Sequence, residues 1–267
     1  MAYPPIFLIN LDDSTERLKH SWQELNKFAI PFERISGVYG KKLSEEQISQ
    51  HYSKTLNEQV FHRPLGTGEI GCYFSHRKAW QTIVDRKLPY AIVLEDDFNL
   101  AGDLNEVVAQ IESLPLDWEL IKLAAYENRT RPVAHRQPLN PPFELVVHNK
   151  PITGCCAQAI SYAGAKKLLA ATATFGRPVD TDIQHSWETK VAVFALMPFI
   201  VKQRTDLNSD IQANSGSKRI AQHKLRKLKL QLQDKVKNAL FRHKQIAALK
   251  RVYAERNTAS ASSKNRA

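Results

Sequence analysis

The chain has 267 residues, 43% hydrophobic and 24% charged, which suits one substantial core or a large domain with an appendage. No apolar run approaches the roughly 18 residues of a membrane-crossing helix, and the start, "MAYPPIFLINLDD", lacks the basic and long apolar regions of a secretory signal. The net charge of +11 is unevenly placed: residues 1–217 carry 23 Lys+Arg against 25 Asp+Glu, and residues 218–267 carry 15 against 2.

In chain order, "IFLIN" (6–10) reads as a strand, and "DDSTERLKHSWQELNKF" as a helix with Asp13 and Glu16 at capping-box spacing and Leu18, Trp22 and Leu25 on one face. "FERIS" (32–36) follows as a strand and "SEEQISQHYS" (44–53) as a helix. "CYFSHRKAWQTIVDR" (72–86) is an apolar helix, and "YAIVL" (90–94) is a continuous apolar run that suits a strand buried on both faces. A helix near 103–114 and strands at "WELIKLA" and "FELVVH" come next, with 127–142, rich in Pro, Arg and Asn, predicted as a long surface loop. "CAQAISYAGAKKLLAAT" gives a strand and a helix, and "VAVFALM" a late strand. Strands separated by helices predict a layered α/β domain with a mostly parallel sheet. The body ends in the polar linker 206–218, after which a Gly- and Pro-free segment predicts one or two basic amphipathic helices with Leu225, Leu228, Leu232, Val236, Ala239 and Leu240 in register; the final "TASASSKNRA" reads as disordered. The division is therefore 1–217 and 218–267.

Three cysteines, Cys72, Cys155 and Cys156, are an odd number with two adjacent, which argues against a disulfide framework and fits a reducing cytosol. No Cys-x-x-Cys or matching His pair suggests zinc, so all three read as small buried hydrophobes.

The chemistry concentrates where "YAIVL" ends, at Glu95-Asp96-Asp97. Ligands of doubly wound sheets sit outside the carboxyl ends of strands. Oxygen donors there suit Mg²⁺ or Mn²⁺ with a diphosphate, the alternative being a solvated acidic turn or helix start. "GTGEIGCYFSH" places glycines and Glu69 before a helix start that can face an anion, with Ser75 and His76 in its first turns; His76 also reads as a core histidine. Asn10 ends the first strand, and Arg17 reads either as a phosphate partner or as a surface residue.

"IFLINLDDSTER", "GTGEIGCYFSH", "AIVLEDD", "ITGCCAQAISYAGAKKLL" and "PVDTDI" together resemble, in order and rough spacing, the glycosyltransferase family 25 proteins over about residues 1–212. The resemblance implies a GT-A-like, Rossmann-related α/β fold: a mixed, mostly parallel sheet flanked by helices. It implies inverting transfer from a UDP-sugar, usually UDP-galactose and commonly with Mn²⁺, to lipooligosaccharide or lipopolysaccharide. Residue by residue, it implies Asp97 with Glu95 as metal ligands and Glu95 or Asp96 against ribose or sugar. Asn10, Leu11 and Arg17 meet the nucleotide; Gly68, Glu69, Gly71, Ser75 and His76 form the second motif, and Gly154 with Tyr162 the third. Asp180 is the first candidate for general base and Asp182 the second, with a helix cap as the other reading of Asp180. Gln203, Ser209 and Asp210 resemble a C-terminal motif that shapes the donor or acceptor site. UDP-glucose and UDP-N-acetylglucosamine are alternative donors, and a non-catalytic interaction protein is the rival class.

Between 218 and 256 the tail holds 13 Lys+Arg and 2 acidic residues. Peripheral docking on an anionic membrane, at the cytoplasmic face of the inner membrane where the resemblance puts the acceptor, is one reading. The others are packing on the body or on a second copy, and nucleic-acid binding, which the few tail aromatics disfavour.

Overall fold

The computed structural model describes residues 3–126, 131–204 and 224–264. Its elements alternate as the sequence predicts. β1 (Ile6–Asn10), α1 (Thr15–Asn26) and β2 (Glu33–Ser36) come first, then a 3-10 turn (Gly40–Lys42) and α2 (Glu45–Ser49). α3 (Lys54–Val60), α4 (Thr67–Asp85), β3 (Tyr90–Glu95), β4 (Phe98–Leu100), α5 (Leu104–Glu112) and β5 (Leu120–Lys122) follow. The second half contributes β6 (Val133–Pro138), β7 (Glu144–His148), β8 (Ala157–Ser161), α6 (Tyr162–Ala171), α7 (Val179–Gln184) and α8 (Ser186–Thr189). β9 (Val193–Met197), β10 (Val201–Gln203) and the long α9 (Lys224–Lys264) close the chain.

Eight strands form one sheet in the order β2-β1-β3-β8-β5-β9-β7-β6, and β10 pairs with β4 outside it. Only β7 and β8 run against the rest, so the sheet is mixed but mostly parallel in strand direction. The continuous apolar run of β3 has the cause expected of it. Ile92 and Leu94 enter one core with α1, α5 and α9, whereas Ala91 and Val93 enter a second core with α4 and α6. Helices thus cover both faces, and β1 and β3 sit side by side in parallel. Their carboxyl ends, Asn10 and Glu95, open at the same edge of the layer, which positions the site.

Several expectations need correction. The predicted loop at 127–142 contains β6, which among the described residues is an edge strand paired only with β7, alternating half-buried and exposed positions. An edge strand has one open flank and needs no apolar run, so its polar sequence hid it. Asp13 and Glu16 do not box the start of α1. Ser14 is its N-cap without a side-chain bond, and Asp13 lies 3.6 Å from Lys42. The buried face of α1 runs through Ser21, Glu24 and Leu25 while Trp22 is 54% exposed, because Glu24 accepts the Leu100 N–H at 2.7 Å. α9 is a single helix that continues to Lys264, into the segment expected to be disordered. The linker at 206–218, with Ser209 and Asp210, lies outside the described residues. The three cysteines are free; Cys155 and Cys156 are buried as expected, whereas Cys72 is only partly buried and lines a cleft.

Candidate active site

β3 ends in the acidic triplet, whose three side chains do different work. Asp96 points toward β1 and α1: its Oδ2 accepts from Asn10 Nδ2 at 2.7 Å and its Oδ1 from Arg17 Nη1 at 3.2 Å. Burial raises its pKa, and Glu95's charge adds to this, while Asn10 and Arg17 oppose it. Asp96 therefore fastens the end of β1 to the end of β3 and holds Arg17 at the cleft.

Glu95 faces α4. His76 is fully buried, and its Nε2 lies 2.9 Å from Glu95 Oε1, with Cys72 Sγ at 3.7 Å. Burial works against the Glu95 charge, but the His76 bond and the charges of His76 and Lys122 outweigh it and hold the pKa below the usual carboxylate value. Cys72, His76 and Glu95 bring one ligand-type atom each within 4.8 Å of one another. The Cys72 thiol is held well above its ordinary pKa by burial and by Glu95, so it stays protonated and is a poor partner for a hard cation.

Asp97 differs again. Its Oδ2 accepts from Gln203 Nε2 at 2.6 Å, a contact built by pairing Gln203 opposite Phe98 in the small sheet. Its Oδ1 is buried and has no hydrogen-bond partner at normal distance among the described residues, the weak Cys156 thiol being the other donor that interacts with this carboxylate. Burial, then the charges of Glu95 and Asp96, push the pKa to about 6 against the opposing Gln203 bond. A buried carboxylate oxygen without a donor, beside two other carboxylates, needs a proton or a cation. The open oxygen of Asp97 suits a hard cation by its chemistry, although the grouping of three ligand-type atoms within 4.8 Å among the described residues is Cys72, His76 and Glu95 and does not include Asp97.

The cleft over the triplet is lined by Asn10, Leu11, Arg17, Gly68, Ser75, His76, Glu95, Asp96 and Asp97, so nine sequence-predicted residues meet in one place. Others play structural parts. Glu69 is bound at 2.7 Å through both oxygens to Arg63 and takes the Gly66 N–H at 2.9 Å, capping α4. Gly71 lets the loop after β2 press on α4, since a Cβ there would lie 2.4 Å from Val38 O. Ser75 Oγ, although at the cleft, takes the Val38 N–H and donates to Gly71 O, both at 2.8 Å. Tyr162 opens α6 at the far end of β8, beside Pro89 and away from the triplet.

The two candidate bases separate clearly. Asp182 is buried, bonded to Tyr73 Oη at 2.7 Å and to Arg177 Nε at 2.6 Å. That is a structural ion pair, and it corrects the reading of Asp182 as a possible base. Asp180 is half-buried in the first turn of α7, whose N-cap is Pro178, so the cap reading also fails. Asp180 Oδ2 accepts the Gly154 N–H at 3.2 Å. Cys72, Cys155 and Tyr126 are each pushed up by burial and also by the charges of both Glu95 and Asp180, so both carboxylates lie within electrostatic reach of these three side chains.

Gly154 is the hinge of that arrangement. It has φ +83°, and a Cβ would lie 2.2 Å from Tyr126 Cε2, so no other residue fits without strain. Lys122 was missed by sequence reading: it is buried on β5 and its Nζ donates to Gly154 O at 2.6 Å and Gln158 Oε1 at 3.1 Å. Its signal was a single lysine inside the apolar run "LIKLA". Tyr39, Gly40 and Lys41, which complete the cleft from the loop after β2, carried no such signal.

Fold and site together define an α/β protein with a carboxylate-lined cleft at the carboxyl ends of adjacent parallel strands. The sequence model of glycosyltransferase family 25 (LPS biosynthesis protein) matches residues 3–183, and the chain belongs to that family. It is similar to procollagen galactosyltransferase 1-A of Xenopus laevis, 34% identical over 181 residues, covering 64% of this chain and 29% of the relative. It is also similar to procollagen galactosyltransferase 2 of Homo sapiens, 30% identical over 195 residues, covering 68% and 30%. The inactive glycosyltransferase 25 family member 3 of Homo sapiens is 28% identical over 185 residues, covering 64% and 29%. The chain thus spans less than a third of the length of these curated relatives. Among solved structures, Drosophila β1,4-galactosyltransferase 7 with manganese, UDP-Gal and xylobiose aligns at TM-score 0.41 and 9% identity, covering 84% of this chain and 79% of that one; a similarity of that size bears on neither site nor function.

Proposed function

We propose that the protein is an inverting glycosyltransferase that moves a hexose, galactose from UDP-galactose, to a terminal sugar of a lipooligosaccharide or lipopolysaccharide. The observation that carries this reading is the buried Oδ1 of Asp97 at the end of β3, which has no hydrogen-bond partner at normal distance among the described residues, in a chain of glycosyltransferase family 25. Asp97, with Glu95, would hold Mn²⁺ or Mg²⁺. When bound, such an ion supplies Lewis-acid neutralisation of the charge on the departing diphosphate.

The chain's own residues account for the rest. Asp96 keeps Arg17 at the cleft, where a guanidinium can pair with a phosphate oxygen. Leu11, Val38 and Tyr39 give the cleft an apolar side suited to a nucleoside. His76 keeps Glu95 charged and oriented. Asp180 is the general base: half-buried and aimed by the Gly154 N–H, it takes the acceptor hydroxyl proton as that oxygen attacks the anomeric carbon. Asp182 and Arg177 fix the helix that carries it.

The test is turnover of UDP-galactose, UDP-glucose and UDP-N-acetylglucosamine with Mn²⁺, Mg²⁺ or EDTA. UDP release from UDP-galactose that EDTA abolishes is expected. Failure of all three donors with either metal would overturn the reading in favour of a non-catalytic protein on the same fold.

A further inference from the structure

α9 presents two opposed faces. Toward the body it buries Asp234, Asn238 and Leu249, and packs Ile246 and Tyr253 against the core. On the other side Leu228, Leu232, Val236 and Leu240 stand 66%, 65%, 56% and 64% exposed. These four apolar residues are not what anchors the helix, contrary to one reading of the sequence. An α-helix advances about 100° per residue, so the four cover a stripe about 120° wide whose centre lies about 180° from Asp234. Arg226 and Lys244 follow the stripe on one flank, and Lys235 and Arg242 follow it on the other.

A cavity of about 480 Å³ opens beside that second flank, between α9 and the chain on either side of the β6–β7 hairpin. Arg131, Lys150, Lys235 and Arg242 line it against a single carboxylate, Asp234, which is already paired with Lys150. Arg242 is fixed by donating to Asn149 O at 2.5 Å, and Arg131 and Lys235 form no ion pair with a carboxylate among the described residues. An open cavity with this excess of cations suits a phosphate group. Its neighbour, an exposed apolar stripe, suits acyl chains.

We infer that α9 is a membrane-docking helix for an anionic lipid surface, with the apolar stripe immersed at the interface and a lipid phosphate received in the adjoining basic cavity. The pattern of an in-plane helix, an apolar centre with basic flanks, is present across Arg226–Lys244. A second copy of the chain fits the stripe less well. Stacking two such faces would bring Lys229 and Lys235 of both copies together, and a strict four-residue spacing winds around the helix instead of forming a coiled-coil seam. The inference does not rest on the transferase reading, since none of these residues touches the cleft.

The experiment is sedimentation of the full chain with vesicles of phosphatidylcholine alone or mixed with phosphatidylglycerol, alongside light scattering. The wild type is expected to bind only the mixed vesicles. Leu232→Ser with Val236→Ser should lower that partition on the order of a hundredfold, and Lys235→Gln about fivefold, both with unchanged thermal melts because the replaced side chains are exposed. Equal binding to neutral vesicles, or wild-type binding by the double variant, would overturn the proposal. So would a shift of the double variant from dimer to monomer with vesicle binding retained, which would assign the stripe to a second copy.

Discussion

Asp97→Asn should make the metal-free protein more stable while abolishing its response to metal. The wild-type carboxyl has its pKa raised from 3.8 to about 6, chiefly by burial. Because the folded value is the higher one, the cost of the charge is absent below 3.8, develops through the interval and is complete above about 6. A shift of about two units corresponds to about 3 kcal/mol at neutral pH, an upper bound because the site can relax. The substituted amide keeps an oxygen for Gln203 Nε2 and carries no charge to bury. Thermal melts in EDTA should therefore place the variant above the wild type at neutral pH, by about 2–4 °C per kcal/mol, with the gap closing as pH falls toward 3.8. Added Mn²⁺ should raise the wild-type melting temperature by mass action and leave the variant unmoved. A variant less stable than the wild type in EDTA at neutral pH would show that Oδ1 has a partner after all. An equal Mn²⁺ response in both proteins would remove Asp97 from the metal site.

The two neighbouring aspartates of α7 should respond in opposite ways. Asp180→Asn is expected to stay within about 1 kcal/mol of wild-type stability by urea unfolding and to lose transfer by about a hundredfold or more. Asp182→Asn should cost about 3 kcal/mol, because Arg177 and Tyr73 lose a buried partner; wild-type stability with lost activity would make Asp182 the base instead. Gly154→Ala should destabilise by about 1–3 kcal/mol, since it forces alanine to a positive φ and drives its Cβ into Tyr126. Its Km and kcat, measured in the surviving folded fraction, should worsen together as the displaced backbone turns its N–H away from Asp180; intact kinetics would deny Gly154 an aiming role.

The fold was legible where burial leaves a pattern. β3 is apolar throughout because Ala91 and Val93 meet α4 and α6 while Ile92 and Leu94 meet α1 and α5, and a continuous run is what two-sided burial demands. β6 was not legible for the converse reason: with one neighbour and one open flank, "VAHRQP" needs no apolar face. The face of α1 was misread at Trp22 because a buried carboxylate, Glu24, is held inward by a backbone N–H from β4, a partner 76 residues away.

The same limit governs the site. The acidic triplet announces itself by its place at the end of an apolar strand, but nothing local distinguishes Asp96, spent on Asn10 and Arg17, from Asp97, whose Oδ1 is left over. That difference is decided by which element each side chain faces across the sheet, and by Gln203 arriving from a strand more than a hundred residues later. Asp180 and Asp182 repeat the lesson on one turn of helix: spacing makes them equivalent candidates, and partners make one an anchor and leave the other half-exposed against the Gly154 N–H. In a site of this kind, the reactive carboxylate is the one whose hydrogen-bond account remains open after folding, so its identity follows from tertiary pairing and not from its motif.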